Sequence, residues 1–402
     1  MDAAKISLMD DPVMRNMILQ AGFLKGLVLF KYHIVVGESF IQVFCRTDIG
    51  SKGDDKMKVA VGMRKTEEIL DTQYLQFLRQ IGVTHVIGFM PGADLLPSSQ
   101  YGYWSEEDLE RMVHHYESNG LILAGIENFR PEHWYEILLD TAGRSRQMEN
   151  LKRTIAAMGK AGLSFMGYNF SIGGVIGQRQ QPDGRTGAVV ASFDYDRFLA
   201  EENTPIPASQ CWKHEVLPQA KGFHKPVSRK EMRQRLYRFL EEILPVAEEA
   251  GVQMAAHPED PPLPVMRQMG RVLTEPAAYD EMFERFPTPY CTVEFCQETF
   301  TEMGVDVYEQ IARYASQKRI SYVHLRNVRG KLPHYSEVLI DEGDVDMARA
   351  LKTYAENGFD GPLIPDHYPS FAGAPSSHAA VAYCIAYIWG LLQTLDLPIW
   401  EG

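Results

Sequence analysis

Residues 58–89 read KVAVGMRKTEEILDTQYLQFLRQIGVTHVIGF and contain the pattern that decides the fold. The short β-branched run Lys58–Met63 is followed by Thr66–Ile81, in which apolar residues recur at helical spacing, and then by the apolar run Val83–Phe89. The first and third runs are typical of buried strands, and the second is typical of an amphipathic helix. The stretch therefore predicts a strand, a helix and a second strand.

The same alternation of strand and helix continues to the end of the chain. Several junctions carry a glycine where the end of a helix requires positive φ. Eight such units with right-handed crossovers predict an α/β fold of the (β/α)₈ TIM-barrel type. The alternative is a doubly wound open sheet, which would usually show fewer units and a phosphate-binding glycine turn. The predicted strands are Lys58–Met63, Val83–Phe89, Leu121–Asn128, Leu163–Phe170, Val252–Ala256, Cys291–Cys296, Ile320–Leu325 and Pro362–Pro365, and the junction glycines are Gly82, Gly120, Gly162 and Gly251.

Two segments do not fit the eightfold pattern. Residues 1–57 are predicted to be an N-terminal extension, and residues 58–402 the barrel domain. Within the barrel, residues 171–228 are a long loop after strand four, which we interpret as an insertion or a lid because loops of this length are usually functional or disordered. The extension makes a homo-oligomer a reasonable expectation.

Composition and charge exclude several classes of protein. Of the 402 residues, 45% are hydrophobic, which excludes a disordered chain. The net charge of −13 is unfavourable for binding phosphate backbones, so we expect no nucleic-acid partner. Five scattered cysteines do not form a disulfide pattern, and neither a signal peptide nor a membrane span is recognisable. We therefore expect a cytoplasmic protein without membrane contact.

Possible metal ligands end four consecutive predicted strands. Barrel closure brings the carboxyl ends of all strands around one mouth, where active sites of such barrels lie. Nitrogen and oxygen ligands, with or without one thiolate, suit Mn²⁺, Zn²⁺, Co²⁺ or Fe²⁺, whereas Mg²⁺ prefers oxygen ligands. The candidates are His257, then Cys296 or Glu294, then His324, and finally Asp366 or His367.

Each of these residues also has a purely structural interpretation. A single histidine at a strand end is more often hydrogen-bonded than metal-bound, and Cys296 alone would more often be a small core residue. Asp366 could cap the last helix, and Arg326 could pair with a surface acid. These interpretations lose weight because all the residues fall at one predicted rim, where packing alone gives polar side chains no reason to gather.

Several sequence blocks resemble those of the mannonate dehydratases, a family of xylose-isomerase-like barrels. The resemblance spans about residues 145 to 390 and depends on the order and spacing of the blocks. They are Tyr168-Asn169-Phe170, His257-Pro258-Glu259-Asp260-Pro261-Pro262, Cys296, His324-Leu325-Arg326, Gly343-Asp344-Val345-Asp346-Met347 and Pro365-Asp366-His367.

The resemblance implies a metal-dependent lyase of carbohydrate metabolism, in hexuronate degradation, that dehydrates D-mannonate or a related aldonate to a 2-keto-3-deoxy acid. It implies a divalent ion, Mn²⁺ first and otherwise Mg²⁺, Fe²⁺, Co²⁺ or Zn²⁺. A small sugar acid or sugar is the expected partner. The implied metal ligands are His257, Cys296, His324 and Asp366; the candidate catalytic residues are His367, Arg326 and His378; the candidate substrate-binding residues are Asn169, Arg326, Glu127 and Asp260. Among them, Arg326 could hold a substrate carboxylate bidentately, and Asn169 could contact a substrate hydroxyl.

The chain departs from the family pattern in three places. After strand four, residues 171–179 lack the family's Asp-Trp-Thr-Arg portion, which helps to build the substrate site. Near the last helix Pro375-Ser376-Ser377-His378 replaces Pro-Gly-Tyr-Ser, which makes His378 the candidate for the role of the family's Tyr. Cys296-Gln297-Glu298-Thr299 replaces Cys-Thr-Gly-Ser. Two alternatives therefore stay open: a metal-dependent sugar isomerase or epimerase of the same barrel class, and a non-catalytic sugar-binding protein.

Overall fold

The structure, a computed structural model, describes residues 29–36, 39–46, 56–374 and 377–400. It divides into two units, residues 1–54 and 55–402. In the first unit, β1 (Leu29–Val36) and β2 (Ser39–Arg46) pair as a two-stranded antiparallel sheet in which Leu29 lies opposite Arg46. The remainder of the predicted extension, up to Asp55, lies outside the described residues.

The second unit contains a closed barrel of eight parallel strands, which confirms the predicted fold class. Each strand pairs with the next in chain order, and the last pairs with the first, so that Leu363 lies beside Val59. The strands are β3 (Lys58–Met63), β4 (His85–Phe89), β5 (Ile122–Glu127), β6 (Phe165–Tyr168), β11 (Gln253–Ala256), β14 (Cys291–Cys296), β15 (Ile320–His324) and β18 (Pro362–Ile364).

Twelve α-helices are present in the described part of the chain. None of them is both long and apolar enough to cross a membrane. Their bounds are α1 (Thr66–Leu70), α2 (Thr72–Gln80), α3 (Glu106–Ser118), α4 (Pro131–Leu139), α5 (Arg144–Lys160), α6 (Tyr195–Glu201), α7 (Arg229–Ala250), α8 (Pro276–Arg285), α9 (Gln297–Glu302), α10 (Val307–Ser316), α11 (Met347–Glu356) and α12 (His378–Thr394).

Local chemistry explains where helices begin and end. The helix predicted over Thr66–Ile81 is two helices, because Asp71 has an extended backbone and accepts a hydrogen bond from the Gln73 N–H as the N-cap of α2. The long α7 begins with a capping box between Ser228 and Glu231, and it ends at Gly251, whose φ is +71°. All four predicted junction glycines have positive φ.

The long loop after the fourth barrel strand folds together with the loop after the seventh. β7 (Arg179–Gln181) and β8 (Val190–Asp194) from the first loop join β16 (Arg329–Lys331) and β17 (His334–Ser336) from the second in a four-stranded antiparallel sheet. Two smaller hairpins pair β9 (Gln210–Cys211) with β10 (His214–Glu215) and β12 (Val265–Met266) with β13 (Met269–Gly270). Residues 171–228 are therefore largely ordered structure, and their role as a lid stays a prediction.

Two apolar layers stabilise the barrel. Inside it, Phe165 stacks on Tyr322 with ring centroids 4.6 Å apart, beside Ala60, Ile87, Ala255 and Ile364. Outside it, the strands pack against the helices, and the fully buried Phe239 of α7 contacts the rings of Trp134, Tyr168 and Phe170. The strands are buried on both faces, as parallel sheets generally are.

Phe239→Ala should destabilise the protein by about 3–5 kcal/mol, because it removes buried aromatic surface and leaves a cavity among three rings. Chemical denaturation monitored by circular dichroism measures this change. Leu70→Ala, at a side chain that is 57% exposed, is the control and should stay within about 0.5 kcal/mol of the parent. Equal effects of the two substitutions would contradict the assigned packing.

Candidate metal centre

Barrel closure brings three of the predicted ligands together. His257 follows β11 directly, and Cys296 and His324 are the last residues of β14 and β15. One ligand atom from each of these three buried residues lies within 4.8 Å of the others. Asp366, two residues after β18, places Oδ2 3.2 Å from His324 Nδ1. The other three predicted ligands, His257, Cys296 and Asp366, therefore lie close to His324.

Hydrogen bonds fix which ring nitrogen of each histidine is available to a metal. His257 Nδ1 lies 2.6 Å from the Pro258 carbonyl oxygen, to which it donates, so Nε2 keeps its lone pair. His324 Nε2 is hydrogen-bonded to Glu127 Oε2 at 3.3 Å and also lies 2.9 Å from Glu294 Oε1, whereas its buried Nδ1 makes no hydrogen bond with the described residues. A carboxylate that holds the distal N–H of a ligating histidine is the usual arrangement around protein-bound metals.

A second group of possible ligands overlaps the first. Glu127, at the end of β5, and Glu294, in β14, are both buried and share His324 Nε2, at 3.3 and 2.9 Å. Both oxygens of Glu294 lack hydrogen-bond partners in the described structure. The two ring nitrogens of His324 therefore contact different carboxylates. Nδ1 lies near Asp366, and Nε2 lies near Glu127 and Glu294.

The pKa values of these groups follow from their mutual charges. Although burial opposes it, Asp366, Glu294 and Glu127 raise the pKa of His324 well above its usual value. The pKa of His257 is about 9, because Glu294 and the Cys296 thiol outweigh burial. The pKa of Cys296 is well below its usual value, since Arg326 and the two histidines outweigh the effect of burial.

These observations fit a divalent cation. A thiolate, two imidazoles with one free nitrogen each and a nearby carboxylate are a donor set for borderline transition metals. Because the surrounding acids raise the pKa values of both histidines, a cation would compete with protons for the ring nitrogens. The orphaned Nδ1 of His324 and the unpartnered Glu294 carboxylate are the polar atoms that such an ion would organise.

Arg326 links the metal-ligand group to its neighbours. Its Nη2 donates to Cys296 Sγ at 2.9 Å, its Nε lies 2.8 Å from Glu298 Oε2, and its Nη1 lies 3.0 Å from Glu337 Oε2. The side chain is only 4% exposed. Because every nitrogen faces a protein partner, this geometry does not favour the predicted bidentate contact with a substrate carboxylate.

His367 lies where this group opens to solvent. Its Nδ1 is 2.5 Å from both Glu337 Oε2 and Arg326 Nη1, and its Nε2 is 3.6 Å from Asp366 Oδ2. A cavity of about 540 Å³ begins here, which is large enough for a small substrate. The sheet formed by β7, β8, β16 and β17 supplies part of its wall through Gln180, Val190 and Ala191. The side chain of His367, 39% exposed, can therefore exchange protons with a molecule in the cavity.

Two of the predicted substrate-binding residues, Asn169 and Asp260, already make hydrogen bonds with other protein groups. The Asn169 amide donates to the Pro258 carbonyl at 3.1 Å and accepts from Trp212 Nε1 at 3.1 Å. Asp260 is fully buried and accepts hydrogen bonds from Gln178 and Tyr335. Burial and neighbouring acids raise the pKa of Asp260 although Arg326 opposes this. Asn169 and Asp260 therefore hold the walls of the site.

His378, the first residue of α12, is not among the residues that line the cavity. Its ring packs against Tyr74 and Phe77 of α2, with centroids 4.8 and 5.0 Å away. It does not line the cavity, whereas its neighbour Ser377 does. Aromatic packing against α2 therefore accounts for His378, and the geometry does not support the predicted catalytic role. Pro375 and Ser376, on which the family comparison of this block depends, are outside the described residues.

Sequence reasoning missed four residues that shape the site. Arg64, one residue after β3, contacts Asp366 and lies 3.7 Å from Glu127, and the rule used for the other strand ends could have found it. Glu337 comes from the loop sheet, and Glu298 from the short helix α9, which the sequence pattern did not predict. Lys213 lines the cavity from the β9–β10 hairpin, and no sequence signal indicated it.

Fold and site together define a TIM-barrel protein with a buried candidate metal centre at the carboxyl end of the barrel. A mannonate dehydratase structure from Streptococcus suis superposes with a TM-score of 0.70 at 22% identity, covering 85% of this chain and 93% of that one. A xylose isomerase domain protein from Alicyclobacillus acidocaldarius superposes with a TM-score of 0.52 at 12% identity, covering 85% and 99%. These likenesses concern the fold.

The family model for D-mannonate dehydratase (UxuA) matches residues 63–398. The chain therefore belongs to the D-mannonate dehydratase family. It is 28% identical to mannonate dehydratase 2 of Halalkalibacterium halodurans, over 74% of this chain and 87% of that protein. It is 27% identical to mannonate dehydratase of Thermotoga maritima, over 81% and 95%. The resemblance seen in the sequence blocks is confirmed.

Glu294→Gln should weaken Mn²⁺ binding by about 10–100-fold, because the neutral amide removes a carboxylate charge that lies 2.9 Å from His324 Nε2 and 4.0 Å from His257 Nε2. Equilibrium dialysis with metal analysis measures this affinity. Glu309→Gln, at an exposed position of α10, is the control and should bind the metal as the parent does. Unchanged affinity in Glu294→Gln would show that this carboxylate has no part in the centre.

Proposed function

We propose that this protein is a metal-dependent hydro-lyase that converts D-mannonate or a related aldonate into a 2-keto-3-deoxy acid. The observation that carries the proposal is the buried group formed by His257, Cys296 and His324, with Asp366 beside it; Asp366 and His367 both line the cavity. Membership of the D-mannonate dehydratase family supports the same reaction class.

We assign the metal to His257 Nε2, Cys296 Sγ, His324 Nδ1 and Asp366. The mixed nitrogen, oxygen and sulfur donors favour Mn²⁺, Fe²⁺, Co²⁺ or Zn²⁺ over Mg²⁺, and we propose Mn²⁺. When bound, such an ion polarises the carboxylate and hydroxyl of a sugar acid, so that the proton on C2 becomes more acidic.

Dehydration requires one proton to leave C2 and one to reach the hydroxyl that departs from C3 as water. His367 is the candidate for this proton transfer, because it is partly exposed, lines the cavity and touches the acid Glu337. The His367 and Arg326 charges lower the pKa of Glu337 against the effect of burial, and Glu337 Oε2 holds the His367 ring through Nδ1 at 2.5 Å.

Arg326 then serves as a positioning residue. Its contacts with the Cys296 thiol, Glu298 and His367 stabilise the thiolate and fix the ring that moves the proton. Such an enclosed guanidinium keeps its donors oriented without reorganisation during the reaction.

A substrate panel tests the proposed reaction. The metal-free protein is reloaded with Mn²⁺ and incubated with hexonates, hexuronates and neutral sugars, and mass spectrometry distinguishes loss of water from isomer formation. We expect loss of water from D-mannonate or a related hexonate, and no reaction without added metal. Isomerisation of neutral sugars, or binding without turnover, would instead favour an epimerase or a sugar-binding protein.

Metal content and turnover should separate in point variants. His257→Ala and Asp366→Ala should lose bound Mn²⁺ and activity together, because each removes a ligand atom. His367→Asn should keep the metal and lose about 10²–10⁴-fold in kcat, the range of a general acid–base group. His378→Ala is the matched control and should keep both. Full metal content in His257→Ala would contradict the ligand assignment.

A further inference from the structure

We infer that Lys213 binds the carboxylate of the sugar-acid substrate, an inference that rests on the proposed function. Lys213 projects from the turn between β9 and β10 and lines the same cavity as Asp366 and His367. The family comparison assigned this contact to Arg326, and the family's Asp-Trp-Thr-Arg segment is absent from this chain.

The other cations of the cavity are already paired. Arg326 gives all three nitrogens to Cys296, Glu298 and Glu337. Arg64 contacts Asp366 and stacks over the Phe89 ring at 4.1 Å. Lys213 has no hydrogen bond or ion pair with the residues that the structure describes, although it lines the cavity. Among the cationic side chains that line the cavity, the Lys213 ammonium is therefore the one whose three N–H donors are available to an anionic substrate.

The paired charges of the cavity walls favour such a cation. Asp366 and Glu337 line the cavity; Asp366 contacts Arg64, and Glu337 Oε2 lies 3.0 Å from Arg326 Nη1 and 2.5 Å from His367 Nδ1, so these cationic groups already face an acid. A negatively charged sugar acid would be repelled by these walls unless a positive group faced it. A protein-bound metal and one ammonium together supply that balance.

The hairpin that carries Lys213 is anchored on the barrel. The Trp212 N–H donates to the Ile172 carbonyl at 2.7 Å, and Trp212 Nε1 donates to Asn169 Oδ1 at 3.1 Å, at the end of the fourth barrel strand. The Trp212 ring packs closely on Gly174, where a Cβ would come within 2.9 Å of it. These contacts fix the position of the residue that precedes Lys213.

The turn itself has an uncommon backbone. Trp212 and Lys213 have φ values of +53° and +66°, in the left-handed region that a two-residue hairpin turn requires and that glycine or asparagine usually occupies. Neither residue has the small side chain that this conformation favours. Retaining two large side chains here is costly for the backbone, and such costs concentrate at binding sites.

The residue predicted to contact a substrate hydroxyl, Asn169, acquires a different role in this arrangement. Its amide bridges the Pro258 carbonyl, next to the candidate ligand His257, and the Trp212 indole, next to Lys213. A short chain of hydrogen bonds therefore connects His257 with the residue that precedes Lys213. That chain suits a ligand that must reach both the candidate metal and the Lys213 ammonium at once, such as a short sugar acid.

Calorimetric titration of the Mn²⁺-loaded protein tests the inference. The titrants are D-mannonate, its C2 epimer D-gluconate and the neutral polyol D-mannitol. Lys213→Met should bind at least one of the two acids about 10–100-fold more weakly than the parent, the range lost with a charged hydrogen bond, whereas its binding of D-mannitol should not change. Lys213→Arg should restore most of the affinity. Lys221→Met, at an exposed position of the same loop, is the matched control.

The outcomes separate this inference from the proposed function. Binding of sugar acids that depends on Lys213, without dehydration of any of them, would support the inference and reject the proposed reaction. Dehydration with equal affinity in the parent and Lys213→Met would overturn the inference and leave the reaction intact. An equal loss of acid and polyol binding, or no binding of either acid to the parent protein, would also overturn it.

Discussion

The closure of the barrel is the constraint on which the site depends. Parallel pairing continues around the ring until Leu363 of β18 lies beside Val59 of β3, so the carboxyl ends of all eight strands face one mouth. His257, Cys296 and His324 are far apart in sequence and become neighbours through this geometry alone. An open sheet of the same strands would separate the ends of β3 and β18, and with them the contact between Arg64 and Asp366.

Charge compensation is the second condition, because the mouth concentrates acids that burial would otherwise penalise. Glu298 and Glu302 lie behind Arg326 with pKa values well above the usual value, since burial and neighbouring acids favour their protonated forms. Asp366 and Glu337 have the opposite shift, because histidines and arginines face them. The two acids whose pKa values are lowered therefore line the cavity, whereas Glu298 and Glu302, whose pKa values are raised, do not line it.

Much of the fold and part of the site could be predicted from the sequence. Helical and strand periodicity, with a glycine at four of the junctions, as at Gly251, was sufficient for the barrel, and the strand-end rule located His257, Cys296 and His324. The strand-end rule predicts where a polar side chain lies, but it does not predict which protein groups that side chain contacts. Arg326 looked like a carboxylate receptor until its partners were known, and those come from α9 and the loop sheet, whose positions depend on long-range packing.

The long segment after the fourth strand shows why family resemblance determines the metal centre more closely than the substrate contacts. Metal ligands sit at strand ends, whose positions follow from backbone pairing and tolerate little change. Substrate contacts come from loops, which can exchange their sequences while the barrel stays intact. In this chain the hydrogen bond from Trp212 to Asn169 ties the β9–β10 hairpin to the end of a barrel strand. The position of Lys213, the next residue in that hairpin, is therefore constrained by the barrel. A family member can therefore lose one substrate-binding segment and present a cation from a different hairpin to the same face of the centre.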